Sequence, residues 1–277
     1  MDSPQQDVEG SPLGSHLEGG HFYQSPTHEE ALARLHFLVD QGRRLGLLMG
    51  ERGSGKSLVL ELFARQLRDS SRPVAKLSLL GVDRGEFLWT LATRLGMNPD
   101  PGLAPAWFWR MISDRIAEHR YQDLPTVVLL DDADRAGRDV LVQVTRLAKH
   151  GLECDLPLTL VLSGQTARMG RVGPDLLEMA QLRIDLEPWD LSDTEGYLKA
   201  SETELGRPAP SFAGPAVARL HELAHGIPRR VAQMADLVRW AALGSNVQSI
   251  GPETVDSACQ ELGVTAQGLS SSCPFTS

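Results

Sequence analysis

Eight consecutive residues, Gly50-Glu51-Arg52-Gly53-Ser54-Gly55-Lys56-Ser57, satisfy the spacing G-x-x-x-x-G-K-[ST] of a phosphate-binding P-loop. Glycines let backbone N–H groups close around phosphate oxygens, and a helix starting directly afterwards adds the positive end of its dipole. Lys56 is placed to reach the β- and γ-phosphates of a bound ATP, and Ser57 to offer a hydroxyl to Mg²⁺. The plain alternative is a glycine-rich turn with no ligand. The flanks favour the phosphate reading, because an apolar run, Leu45 to Met49, precedes the motif and a helical stretch follows it.

A second segment, Val127-Val128-Leu129-Leu130-Asp131-Asp132, ends an apolar run in two carboxylates. Alone, such a pair is commonly just a polar strand end. Beside a P-loop it has the form of a Walker B element, with Asp131 reaching Mg²⁺ through water and Asp132 orienting or deprotonating the attacking water. Phosphoryl transfer gains mostly from positive charge fixed around developing negative charge, which singles out Arg183 and Arg229 against the reading of ordinary surface arginines. Arg229 stands in Gly226-Ile227-Pro228-Arg229, where proline suits a first helical turn. Ser163, Gly164 and Gln165 follow another apolar run; a hydroxyl or amide there would position the lytic water, with a simple turn as the equal alternative.

The elements that must hold these residues follow from the pattern. Apolar runs at Leu45 to Met49, Val74 to Leu79, Val127 to Leu130 and Leu158 to Leu162, with a fifth around Leu182 to Leu186, are read together as strands of a parallel sheet buried on both faces. Helical spacing separates them, beginning with Ala31, Leu32, Leu35, Leu38 and Val39 after a start signal at Ser25-Pro26. The expected class is α/β, a parallel five-stranded αβα core over residues 21–187. After Pro188 come helical segments around Ser192 to Leu205, Pro215 to Ala224, Pro228 to Leu243 and Pro252 to Leu262, read as a small all-helical domain over 188–263. Residues 1–20, acidic and rich in Gly, Ser and Pro, and the Ser-rich residues 264–277 read as disordered tails.

The chain has 277 residues and a net charge of −9, which argues against a constitutive electrostatic grip on nucleic acid and leaves DNA an open but disfavoured partner. Three cysteines, Cys154, Cys259 and Cys273, fit no zinc spacing, and reduced thiols are expected. Neither a leader pattern nor a long apolar run occurs, so a cytoplasmic protein without membrane insertion is expected.

In this order the pieces resemble the AAA+ ATPases, and among them the ExeA-type, general secretion pathway A family, with transposition ATPases of the phage Mu B type as cousins. The resemblance spans about Phe22 to Leu262 and rests on the opening His21-Phe22-Tyr23-Gln24-Ser25-Pro26-Thr27-His28-Glu29-Glu30-Ala31, the P-loop, Leu129-Leu130-Asp131-Asp132-Ala133-Asp134, Leu162-Ser163-Gly164-Gln165 and Gly226-Ile227-Pro228-Arg229. It implies a P-loop core with a helical lid, Arg229 as the sensor 2 arginine, and Arg183 as an arginine finger reaching a neighbouring subunit, hence a homo-oligomer. Ser163 or Gln165 falls at sensor 1. The family usually has Asp-Glu-Ala-Gln where this chain has Asp131-Asp132-Ala133-Asp134, so the expected base is one methylene shorter and hydrolysis is expected to be slow. Fuller members continue into a transmembrane segment and a peptidoglycan-binding region that this sequence does not include. The resemblance implies an ATPase acting on a partner of the secretion or pilus type. A transposition-type DNA-binding regulator and a non-hydrolysing ATP switch are the alternatives.

Overall fold

Chain order and hydrogen bonding set five strands side by side: β1 (Leu45–Gly50), β2 (Val74–Ser78), β3 (Thr126–Asp131), β4 (Leu158–Gln165) and β5 (Leu182–Leu186) form one parallel sheet in the order β2-β3-β4-β1-β5. The structure is a computed structural model and describes residues 23, 25–154, 156–204, 210–245 and 248–261. The two expected tails lie outside the described residues, as does Cys273; Cys154 is exposed, Cys259 is buried, and both are free thiols.

Central strands are continuously apolar because both of their faces are covered. In β1 and β3 every residue is buried, and β4 is buried up to Ser163-Gly164. The edge strands depart from the expected uniform pattern. Along β5, Leu182-Arg183-Ile184-Asp185-Leu186 alternates, with Ile184 and Leu186 buried and Arg183 and Asp185 exposed, because an edge strand turns one face to water.

On one face pack α1 (Pro26–Asp40) and α2 (Lys56–Asp69), whose Leu35, Leu38, Leu60 and Phe63 bury against Val127, Leu129, Val161 and Ile184. The other face carries α3 (Arg84–Arg94), α4 (Pro105–Tyr121), α5 (Arg138–Glu153) and α6 (Pro174–Met179), packed over Leu47, Val128, Leu130 and Leu162. Parallel strands end on one edge, so Gly50, Ser78, Asp131, Gln165 and Leu186 all arrive there.

Beyond β5 a smaller unit with its own core is built from α7 (Leu191–Glu204), α8 (Gly214–Ala224), α9 (Pro228–Gly244) and α10 (Pro252–Glu261) around Leu198, Leu220, Val231, Val238 and Val255. It is not all-helical as expected. Two-residue strands β6 (Ser211–Phe212) and β7 (Ser249–Ile250) pair in parallel and tie the segment before α8 to the segment before α10. Runs this short carry no period that a sequence can display.

The joint between the units is a backbone clasp. Trp189, three residues after β5, donates its N–H to the Gly226 carbonyl at 2.8 Å, and Gly226 is left-handed with φ +65°, so a Cβ there would run into the Trp189 carbonyl oxygen. Gly226→Ala is expected to lower the stability of the whole chain by at least about 1–2 kcal/mol from the backbone conformation alone. Urea unfolding measures it, and an unchanged midpoint would refute the clasp.

Candidate functional site

The loop after β1 is held open by what its glycines lack. A Cβ at Gly50 would stand 2.6 Å from Ser54 Oγ, and one at Gly53 would stand 3.0 Å from Arg229 Cβ, so neither position has room for a side chain. Gly55 takes φ +98° and leads directly into α2. Within the bend, Lys56 Nζ donates to the carbonyls of Gly50 at 3.0 Å and Glu51 at 2.7 Å. Burial pulls the Lys56 ammonium below the ordinary lysine value, opposed by the negative charges of Asp131, Asp134 and Asp132 and assisted by Arg229. Ser54 Oγ is buried and has no hydrogen-bond partner among the described residues.

Two outside elements grip this loop. From α1, the buried His28 brings Nε2 to 3.0 Å from the Ser54 carbonyl oxygen, while Nδ1 lies 2.9 Å from Ser25 Oγ. Burial holds the imidazole below the usual histidine value. From the helical unit, Arg229 opens α9 as expected and donates its backbone N–H to the Gly53 carbonyl at 3.2 Å. Between these grips lies an aromatic seam in which Trp189 meets Tyr23 at 5.6 Å, Tyr197 at 5.3 Å and His28 at 6.2 Å between ring centroids.

Beside the loop, sheet register assembles the acids. Asp131 and Ser163 are neighbours on β3 and β4, and Ser163 Oγ donates to Asp131 Oδ1, which also accepts the Asp132 N–H at 3.0 Å. Both side chains are buried. Asp132 turns left-handed, φ 55°, and receives a long hydrogen bond of 3.4 Å from Ser78 Oγ. Burial, and then the charge of Asp131, hold the Asp132 carboxyl above the ordinary aspartate value. Asp134 is 2% exposed and neither of its oxygens has a hydrogen-bond partner among the described residues.

The other named residues divide. Ser57 is exposed in the first turn of α2, and Glu51 and Arg52 are exposed on the loop. Ser163 joins the acids directly, whereas Gln165 stands beside Gly50 in the register of β4 with β1. Arg183 does not join the cluster of its own chain. It pairs with Asp185 on the same edge strand at 2.8 Å, in register with Leu47, three residues before the loop begins. Sequence reasoning gave no role to His28, Ser78 or Asp134, although His28 and Asp134 stood in segments already quoted. Their contacts cross 26 and 54 residues of chain for His28–Ser54 and Ser78–Asp132, and no local spacing announces them.

The donor set suits a polyphosphate with magnesium: backbone amides, a desolvated ammonium, an unused buried hydroxyl, and carboxylate and hydroxyl oxygens. Among the described residues no group of three or more His, Cys, Asp or Glu is arranged to hold a metal by itself, and no helix is long and apolar enough to cross a membrane.

A family model described as an AAA domain matches residues 39–170. General secretion pathway protein A of Aeromonas hydrophila is 27% identical over 264 residues, covering 90% of this chain and 46% of that protein, so the chain spans about half of the relative's length. Among solved structures, Cdc6p from Pyrobaculum aerophilum superposes with a TM-score of 0.67 at 19% identity, covering 88% of this chain and 69% of that one. The Holliday junction branch migration motor RuvB of Thermotoga maritima gives 0.61 at 15% identity, over 90% and 72% of the two chains. Both likenesses concern the fold. The AAA domain match thus covers the segment that carries β1 to β4, and the general secretion pathway relative aligns along 90% of this chain, so the chain is similar to AAA proteins in sequence and in fold.

Proposed function

We propose that this chain binds ATP with Mg²⁺ in the loop Gly50–Ser57, hydrolyses it, and passes the resulting movement of its helical lid to a partner complex. One observation carries the reading: the lid bonds the loop itself, through the Arg229 N–H on the Gly53 carbonyl, so what fills the loop and where the lid sits are mechanically one variable. Backbone amides of Gly50, Glu51, Arg52, Gly53, Ser54 and Gly55 would line the phosphates, and Lys56 would exchange its two carbonyl partners for phosphate oxygens. Ser57 and Asp131 are the groups that would hold Mg²⁺, which when bound neutralises charge on the β- and γ-oxygens. Ser163 fixes the orientation of Asp131, and Asp132 takes the proton of the attacking water.

Arg229 lies close enough to Lys56 to bias its charge, which supports a sensor role at the lid. Arg183 is exposed and lies away from its own loop, so any phosphate it meets belongs to a neighbouring subunit of a homo-oligomer. The secretion or pilus reading of the partner draws on the name of the Aeromonas relative alone. A second reading, nucleotide-gated DNA binding, draws on Arg138, Arg168 and Arg171, which are exposed and make no ion pair among the described residues, on segments near the edge where the strands end.

Lys56→Ala is expected to lower turnover by about 10²-fold or more, as for removal of one fixed positive group from a transition state; phosphate release at the wild-type rate would sink the reading. Because a base must be ionised and Asp132 sits above the ordinary value, the acid limb of the kcat profile should lie above the ~3.9 of a free aspartate. A limb at or below that value removes Asp132 from the role. Arg183→Ala should preserve ATP binding and reduce turnover only where subunits associate, read by activity against protein concentration. For the DNA reading, retention of duplex with ATP should fall steeply with salt, and no retention at low salt discards it.

A further inference from the structure

The imidazole of His28 sits on the loop at a position that no spacing rule assigns. Its Nε2 is 3.0 Å from the Ser54 carbonyl oxygen, and a Cβ built on Gly55 would lie 2.5 Å from that same nitrogen. A carbonyl oxygen only accepts, so Nε2 must carry the hydrogen, which leaves Nδ1 of the neutral ring to accept from the Ser25 hydroxyl 2.9 Å away. The tautomer is therefore set by chemistry on both sides of the ring.

The Ser54–Gly55 peptide is trans and planar, so its C=O and its N–H point in opposite directions. Gly55, without a Cβ and with φ +98°, offers little resistance to a flip of that peptide. Its N–H has no backbone acceptor among the described residues, whereas the N–H groups of Leu58 and Val59 return to the Gly55 carbonyl.

We infer that His28 is a positioning residue for the phosphate cradle: by donating Nε2–H to the Ser54 carbonyl it locks the Ser54–Gly55 peptide with the Gly55 amide turned to face bound phosphate. The inference rests on the ATP-binding reading of the loop. It explains why the ring is buried against a loop glycine whose amide has no backbone acceptor among the described residues. The same ring stands edge-on to Trp189 at 6.2 Å, so the cradle and the seam leading to the lid share a wall.

Gln and Met have similar shapes, and only Gln can donate. With the full chain and Mg²⁺, His28→Gln should bind ATP and ADP within about threefold of the wild type. His28→Met should bind both about tenfold more weakly, the loss of one hydrogen bond aimed at a charged ligand. Equal melting temperatures would exclude a folding effect. His28→Met binding ADP like the wild type, or His28→Gln as weak as His28→Met, overturns the inference; a wild-type chain that binds neither nucleotide overturns the ATP reading instead. Should His28→Met fail to fold, ¹⁵N spectra of the wild-type imidazoles decide, with His28 assigned by its loss in His28→Gln. A neutral Nε2–H tautomer is expected, and an Nδ1–H tautomer overturns the lock.

Discussion

A loop made of glycine can aim many amides into one small volume, but it has no side chains with which to hold that aim. Everything around Gly50–Ser57 answers this constraint. The sheet fixes one end at Gly50 between β4 and β5, α2 fixes the other at Lys56, and the two carbonyls in the middle are bonded from outside. Ser54 is held by His28 of α1, and Gly53 by the first turn of α9. Preorganised dipoles are worth more than flexible ones because their orientation has been settled before the ligand arrives.

The acids show the same division between register and turn. Parallel pairing alone puts Asp131 next to Ser163, since β3 and β4 run side by side and their side chains alternate together. Asp132 falls where the chain leaves the strand in a left-handed turn, a conformation that short polar side chains tolerate better than long ones. The shorter acid at this point thus has a backbone reason. Asp134, one turn on, is buried without a hydrogen-bond partner among the described residues, and its charge acts on Lys56.

Much of the core could be read from sequence because its signals are local. Each of the five strands lies within a few residues of the run that announced it, and α9 starts at the Pro228 that suits a first turn. The loop motif is contiguous, so its residues were legible one by one. What escaped depends on distance along the chain or on sheet position. The grip of His28 on Ser54 spans 26 residues, β6 and β7 are two residues each, and the alternation in β5 is explained only by its place at the edge. Arg183 reads as a candidate from its neighbours in sequence, but its partner Asp185 emerges only once β5 is extended and both side chains point the same way.

The bond between Gly53 and Arg229 has a thermodynamic corollary. Linkage is reciprocal, so whatever free energy a nucleotide contributes to seating the lid, displacement of the lid must subtract from the grip on nucleotide. A protein that levered α9 away would behave as an exchange factor, loosening ADP from a distance without presenting any group to it. On the proposed ATP reading, load and product release would in that sense be two readings of a single hinge.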